Sequence, residues 1–552
     1  MRSAPSEDPA RRIAPGWLGA AVLVYLALSL ALAWTKAPWC DEGSLANSSY
    51  NLAFHGYMGS NVIEPGGHFL NAYLRGIHRW TYIVTPNQLV AIAGWFKVFG
   101  ATAFNMRAFS ILWGVVTILA MYRIALRMFP DRGVAQLAAV LTSLDWVFQW
   151  ITADGRPESL AMALAACSLA AYLHFRERDF RMAVITSQTL LAAAMFTHPN
   201  ALLVGLGVFV VAVLYDRKRL RLEYLLWTAL PYLIFAALWG AYILQSPSDF
   251  KAQFFANAAG RDSARWKSVL EPWNSIRQEV FRQIFVYVNS SLWSAETNHH
   301  LILVAFMYLG ANIWFFSKWR RHEPSVRIFS VCAATVLCGL TFLNGFKADP
   351  YMIYVMPFYD TIFAALLVKL WRRNGDPSVA AVALTFIFVV LQLWTAGMHI
   401  LADEYHRDYL PTVRELARDK AAGKSIVATA ALGFGLDFNG FADDWRLGLY
   451  SNLKPDVIVL DRSYRDFTGR FLDSEPAVYP HTASLLFSEY RLRKRFGSFW
   501  IFDRIPGATY AKVDTGPVKG LTFAQKRQKV DEMFDRVGGI NTAVANGSKS
   551  SL

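Results

Sequence analysis

Gly16-Trp-Leu-Gly-Ala-Ala-Val-Leu-Val-Tyr-Leu-Ala-Leu-Ser-Leu-Ala-Leu-Ala-Trp34 is an uncharged run, and Thr35-Lys36-Ala37-Pro38-Trp39-Cys40-Asp41-Glu42-Gly43 follows it directly. At about 1.5 Å per helical residue the run is long enough to cross a hydrocarbon core roughly 30 Å thick. Two adjacent carboxylates at the mouth of a first span make poor lipid-facing surface. They suit a group that takes a proton from a hydroxyl presented at the membrane face. The alternative is a solvated loop pair, and the remaining sequence bears on the choice.

Of 552 residues, 54% are hydrophobic and only 17% charged, against about 25% charged in soluble domains. The composition is that of a polytopic α-helical membrane protein. The net charge of +14 comes in short clusters between apolar runs rather than as a continuous basic stripe, which argues against nucleic acid as a partner. Apolar segments lie at 16–35, 108–128, 134–152, 157–175, 183–198, 200–215, 223–244, 299–317, 326–344, 351–370 and 379–401, about eleven transmembrane helices. Alternate connections hold Arg11/Arg12, Arg123/Arg127/Arg132, Arg176/Arg178/Arg181, Arg217/Lys218/Arg219/Arg221, Lys318/Arg320/Arg321 and Lys369/Arg372/Arg373. By the positive-inside rule these are cytoplasmic, so the N-terminus is expected inside and everything after about residue 402 outside. The first span lacks the small-residue cleavage pattern of a removable signal. Of Cys40, Cys167, Cys332 and Cys338, only Cys40 falls in an expected external piece, so no external disulfide framework is expected.

Residues 1–401 are expected to form the membrane-embedded body. Its two large external loops are 36–107, with interfacial amphipathic stretches near 42–54 and 87–99, and 245–298. Residues 402–530 read as a small extracytoplasmic α/β domain. Strands are expected at 424–432, 455–460 and 499–502, and helices at 409–422 and 484–496. Residues 531–552 read as a disordered tail.

Every strong chemical candidate falls on the external side. Asp41 and Glu42 follow the first span. Asp154, Arg156 and Glu158 lie in Ala153-Asp-Gly-Arg-Pro-Glu-Ser159, His198 in Thr197-His-Pro-Asn200, and Lys347 in Phe346-Lys-Ala-Asp-Pro-Tyr351. Charges at span mouths are costly unless paired or facing water. Carboxylates, an arginine and a lysine on one face describe acid–base chemistry beside an anion such as phosphate. Each also has a structural reading: a connector ion pair, a helix-end histidine, a snorkelling lysine. Asp145 and Asp360 lie inside expected spans, where they line the same cavity or bond helices together. Glu64 and His68, spaced i, i+4, and His299 are candidates for a divalent-metal site of oxygen and nitrogen ligands. No other cofactor is indicated.

Four local signatures resemble the membrane-embedded, C-type-fold glycosyltransferases that use polyprenyl-phosphate sugars, relatives of protein O-mannosyltransferases and lipid A aminoarabinose transferases. They are Asp41-Glu42, the Trp95–Ser110 stretch with Phe99-Gly100 and Arg107, Arg156-Pro157-Glu158, and Tyr351-Met-Ile-Tyr354-Val-Met-Pro357. The resemblance covers about residues 12–401. It implies a bacterial inner-membrane enzyme, multi-pass, acting in the cell envelope on a donor such as an undecaprenyl-phosphate sugar, with a glycan, lipid or protein as acceptor. It implies Asp41 as general base; Glu42 and Asp154 are further candidate catalytic carboxylates, and Glu42 reads also as a supporting or helix-start residue. Lys347, Tyr351 and Tyr354, with Arg156 and His198, would hold the donor phosphate; Glu158, Glu64, His68 and Arg107 would support the site or meet the acceptor. Where many members have His-Pro-Pro and Lys-Gly-Pro, this chain has Glu64-Pro-Gly-Gly-His68 and Thr197-His-Pro199. A lipid or solute transporter is the rival reading, but the two halves do not match as transporter repeats do.

Overall fold

The computed structural model describes residues 16–68, 74–257, 266–288, 298–371, 378–516, 520–522, 525–526 and 528–537. Helices occupy all eleven expected segments. Among the described residues, seven helices are long and apolar enough to cross a membrane: Trp17–Thr35, Ala103–Met128, Glu158–Phe175, Glu223–Ile243, His299–Ser317, Pro324–Phe342 and the run Val379–Ala421. An eighth is gained if Arg132–Leu144 and Trp146–Thr152, bent by 61°, form one broken span. The helices Phe180–Met195, Leu202–Tyr215 and Met356–Trp371 are 14 to 16 residues long, short of the length that a straight span needs. Among the described residues, seven or eight of the eleven expected spans are thus long and apolar enough to cross a membrane by length and composition.

The bend has a local cause. Asp145 is both the end of one helix and the N-cap of the next, its Oδ1 accepting from Phe148 N at 2.8 Å. Its Oδ2 accepts from the Tyr308 hydroxyl at 3.0 Å, and that hydroxyl also bonds Asp360 Oδ1 at 2.5 Å. Asp145 and Asp360 thus tie three helices together deep in the bundle. The core around them is apolar and aromatic, with Tyr25, Ile111, Trp146, Phe148, Phe329 and Phe358.

Of the expected interfacial helices, Cys40–His55 and Asn87–Phe99 form as read. Their apolar faces do not only meet each other. Leu45, Ala46, Leu89 and Phe96 share one core with Leu432, Phe438, Val459 and Ile501 of the C-terminal segment. That segment carries a four-stranded mixed sheet in the order β1-β2-β4-β3: β1 Ile426–Val427, β2 Val457–Leu460, β3 Tyr490–Phe496 and β4 Phe499–Arg504. β1 and β2 run parallel, Ile426 opposite Val457, while β4 is antiparallel to β2 and forms a hairpin with β3.

Two expectations for this segment are corrected. The helix read across 484–496 stops at Ser488, and Tyr490–Phe496 is a strand. Its basic outward residues masked the alternation, and Gly497 at φ 52° makes the hairpin turn. Of the tail expected to be disordered, 531–552, residues 531–537 belong to a helix over 528–537, because Val530, Met533, Phe534 and Val537 recur at helical spacing and bury against Trp500 and Phe502, while 538–552 lie outside the described residues.

Candidate active site

Successive residues on a helix point about 100° apart, and this separates the two carboxylates of Asp41-Glu42. Asp41, in the first turn of Cys40–His55, keeps 41% of its side chain exposed and pairs with Arg156 Nη1. Glu42 turns inward. Its two oxygens take Nε and Nη2 of Arg107, both at 2.7 Å, and both side chains are fully buried. Gly155 N and Trp39 N each add a bond to Glu42 at 3.2 Å. Burial opposes its charge, yet Arg107 holds the carboxyl below its ordinary range. Glu42, expected among the catalytic carboxylates, is therefore closed off from solvent. Arg107, expected to support the site or meet the acceptor, is closed off with it. Arg107 also donates to the carbonyls of Ala33, Lys36 and Ala37 at 3.0, 2.5 and 3.1 Å, satisfying the open end of the first span.

From Asp41 a line of polar groups runs across the mouth of the bundle. Arg156 meets Asp41 with Nη1 and Glu158 with Nε and Nη2, the last at 2.7 Å. Its guanidinium lies over the Trp39 ring at 5.3 Å. Glu158, fully buried, stands 3.9 Å from His198 Nε2. His198 Nδ1 accepts from Asn200 N and meets the Tyr354 hydroxyl, both at 3.3 Å, which assigns the ring proton to Nε2 facing Glu158. The Tyr351 ring lies 5.2 Å from the imidazole. The loop 36–107 fastens this connector: Thr85 Oγ1 donates to Thr197 O at 2.9 Å, and Asn87 Nδ2 to Ala193 O at 3.0 Å.

Asp154 lies behind the line. Trp39 Nε1 donates to it at 2.9 Å and Lys36 Nζ is 3.6 Å away. Burial pushes its carboxyl up to about 7 against the pull of Lys36. It therefore holds Trp39, which in turn supports Arg156.

Lys347 is engaged on another element. Its Nζ donates to the carbonyls of Leu340 and Thr341 at 2.6 and 2.5 Å and stands 3.4 Å from Glu279. Glu279 also takes Nη2 of the buried Arg282 at 2.5 and 2.6 Å. Burial lowers the Lys347 ammonium to about 8. The 3-10 segment Asp349–Tyr354, about 12 Å long at roughly 2 Å per residue, runs from this second cluster to Tyr354 of the first. Arg282, Glu279, Trp39 and Lys36 were not singled out by sequence. The only signal for the first two was an i, i+3 acid–base pair within loop 245–298.

Of the metal candidates, Glu64 and His299 lie on separate elements. Glu64 Oε1 accepts from its own loop at Gly66 N, 3.1 Å, His299 opens the helix that continues as Ile302–Ser317, and the His68 side chain lies outside the described residues. Among the described residues no three His, Cys, Asp or Glu side chains gather as a metal site. Asp41, Asp154 and Glu158 are each matched to a protein cation instead.

Residues 85–241 match the family model described as dolichyl-phosphate-mannose-protein mannosyltransferase. Comparison with curated proteins gives no match. Among solved structures, the chain is similar to ArnT from Cupriavidus metallidurans bound to undecaprenyl phosphate. Identity is 14%, the match covers 90% of this chain and 99% of that one, and the TM-score is 0.54. It is also similar to the oligosaccharyltransferase of Archaeoglobus fulgidus in the apo form, at 11% identity over 90% of this chain and 74% of that one, with a TM-score of 0.51. With the family match lying across its second to seventh apolar segments and these two structures matching along nine-tenths of its length, the chain has the C-type glycosyltransferase fold.

Proposed function

We propose that this chain is an inverting glycosyltransferase of the bacterial inner membrane that moves a sugar from a polyprenyl-phosphate donor to an acceptor hydroxyl on the extracytoplasmic side. The observation that carries the reading is the pair Asp41–Arg156, a carboxylate and a guanidinium side by side and reachable at one mouth of a helix bundle. Such a pair supplies both needs of the reaction, a proton acceptor and an anion holder. The undecaprenyl phosphate bound by ArnT supports the lipid class of the donor.

The acceptor oxygen attacks the anomeric carbon as the bond from that carbon to the phosphate oxygen breaks. The hydroxyl proton passes to Asp41, and polyprenyl phosphate departs with the bonding electrons. Attack opposite the leaving phosphate inverts the anomeric centre. Arg156 meets the departing charge, held by Trp39 beneath it and Glu158 beside it. Lys347 and Arg282 form a second cationic station for the donor phosphate, reached when phosphate displaces Glu279. Tyr351 and Tyr354 line the path between the two stations. The alternating basic clusters support a cytoplasmic N-terminus and put the Asp41 mouth outside.

Purified protein incubated with undecaprenyl-phosphate mannose and native membranes as acceptor source, scored for released undecaprenyl phosphate, tests this. Asp41→Asn is expected to lose about 10²- to 10⁴-fold in turnover, the usual worth of a positioned base. Near-normal transfer by a folded Asp41→Asn protein would remove Asp41 from the role.

A further inference from the structure

Gly43, two residues beyond Asp41, touches the C-terminal segment backbone to backbone. A Cβ on Gly43 would lie 2.2 Å from Ala430 C and from Ala431 N, and 2.4 Å from Ala430 O. No side chain fits there without moving one of the two elements. The element it meets is the 3-10 turn Ala430–Leu432, fully buried.

That turn is fixed by its own segment. Ala430 N donates to Asp443 Oδ2 at 2.8 Å, and the Tyr409 hydroxyl to Ala431 O at 2.9 Å. Tyr464 holds the other oxygen of Asp443 at 3.1 Å. Asp443 is in turn tied to the loop 36–107 by its backbone: Asp443 N donates to Val62 O at 2.7 Å, and Glu64 N to Asp443 O at 3.0 Å. Asn61, braced by Asn47 and Asn51 of the Asp41 helix at 2.9 and 2.8 Å, donates to Phe438 O at 2.9 Å.

The first turn of Cys40–His55 is therefore gripped from two sides. Glu42 anchors it to Arg107 of the membrane body, and Gly43 seats it on the C-terminal turn. Asp41 projects between the two anchors. We infer that the C-terminal segment is a working part of the catalytic centre: its Ala430–Leu432 turn sets the position of Asp41, with Gly43 and Asp443 as positioning residues. The inference rests on Asp41 being the base. A displacement of about 1 Å at such a group is enough to cost on the order of 10²-fold in rate. Of the two donor stations, Lys347 shares no contact with this turn, and Arg156 keeps Glu158 and Trp39 when Asp41 shifts.

The test uses the full chain, with undecaprenyl-phosphate mannose as donor probe and native membranes as acceptor source. Gly43→Ala is expected to lower kcat by about 10- to 100-fold while donor KM and undecaprenyl phosphate binding stay within about twofold of wild type. Asp443→Asn, whose amide offers one acceptor oxygen in place of two, and Tyr409→Phe are expected to lower kcat by smaller factors at unchanged KM. Wild-type kcat in Gly43→Ala overturns the inference, as does an equal loss in donor binding. If Gly43→Ala does not fold, wild-type kcat in both milder variants overturns it. Asp41→Asn run alongside separates the two ideas. A dead Asp41→Asn with a normal Gly43→Ala removes only the positioning role, and a normal Asp41→Asn removes the base on which it depends.

Discussion

Arg107 and Glu42 form a two-bonded ion pair that solvent does not reach, Nε to Oε1 and Nη2 to Oε2, each at 2.7 Å. It joins the start of the span Ala103–Met128 to the helix that carries Asp41, and the remaining Arg107 protons close the end of the first span. Truncating one partner strands a buried charge. Arg107→Ala is expected to cost about 3–5 kcal/mol of stability, read as a large drop in the thermal midpoint of the detergent-solubilised protein. Glu42→Gln keeps the shape and is expected to cost less. Equal, small losses in both would mean that the pair is hydrated and the anchor dispensable.

Arg156 has three neighbours that only a guanidinium serves together: Asp41, Glu158 and the face of Trp39. Arg156→Lys keeps the charge but has no planar fork with which to span two carboxylates and stack on the indole. Turnover is expected to fall by about 10-fold or more, with the thermal midpoint nearly unchanged. A lysine variant with wild-type kcat would show that charge alone suffices and would weaken Arg156 as an oriented phosphate contact.

Much of this site was legible because charge at a membrane mouth is expensive, so each such residue needs a reason. Asp41, Arg156, Glu158 and His198 were read that way, and the structure joins them in one line. What the sequence concealed was pairing across distance. Nothing local distinguishes Asp41 from Glu42; the difference arises from a 100° rotation and from Arg107, 65 residues away. Hydropathy read 134–152 as one span and gave no sign of the 61° bend at Asp145, whose side chain caps the second helix. The contact of Gly43 with Ala430 was equally hidden, since a close backbone approach leaves no residue pattern beyond the glycine itself.

Lys347 gives the donor step a pH signature. Burial holds its ammonium at about 8, below the ordinary lysine value of about 10.4, and only the charged form attracts phosphate. The charge is present below pH 8 and lost as pH rises through it, so donor KM is expected to climb above about pH 8. In Lys347→Arg the cation persists, and the rise is expected to move beyond the range in which the protein is stable. Lys347→Met should show a high donor KM, about 10-fold or more, at every pH. A wild-type KM flat from pH 7 to 9.5 would take Lys347 out of donor binding.

Asp443 predicts a second pH effect, on stability and not on the donor. Burial first, then Asp461 and Asp444, push its carboxyl up to about 8, although Ala430 N and Tyr464 pull the other way. In the unfolded chain its ordinary value is about 4. Between about 4 and 8 the folded protein holds a proton that the unfolded chain has released. Its contribution is therefore complete below about 4 and is lost as pH rises toward 8. Asn at this position is neutral throughout and carries no such slope. The thermal midpoint of wild type should fall relative to Asp443→Asn as pH is raised from 5 to 8, whatever the constant offset from the altered bonds to Ala430 and Tyr464. Parallel curves would mean that Asp443 is already ionised in the folded protein, with its charge matched by a group near the Gly43 seat. The turn on Gly43 would then be held by a charge-assisted bond, and Asp443→Asn should weaken it at every pH alike.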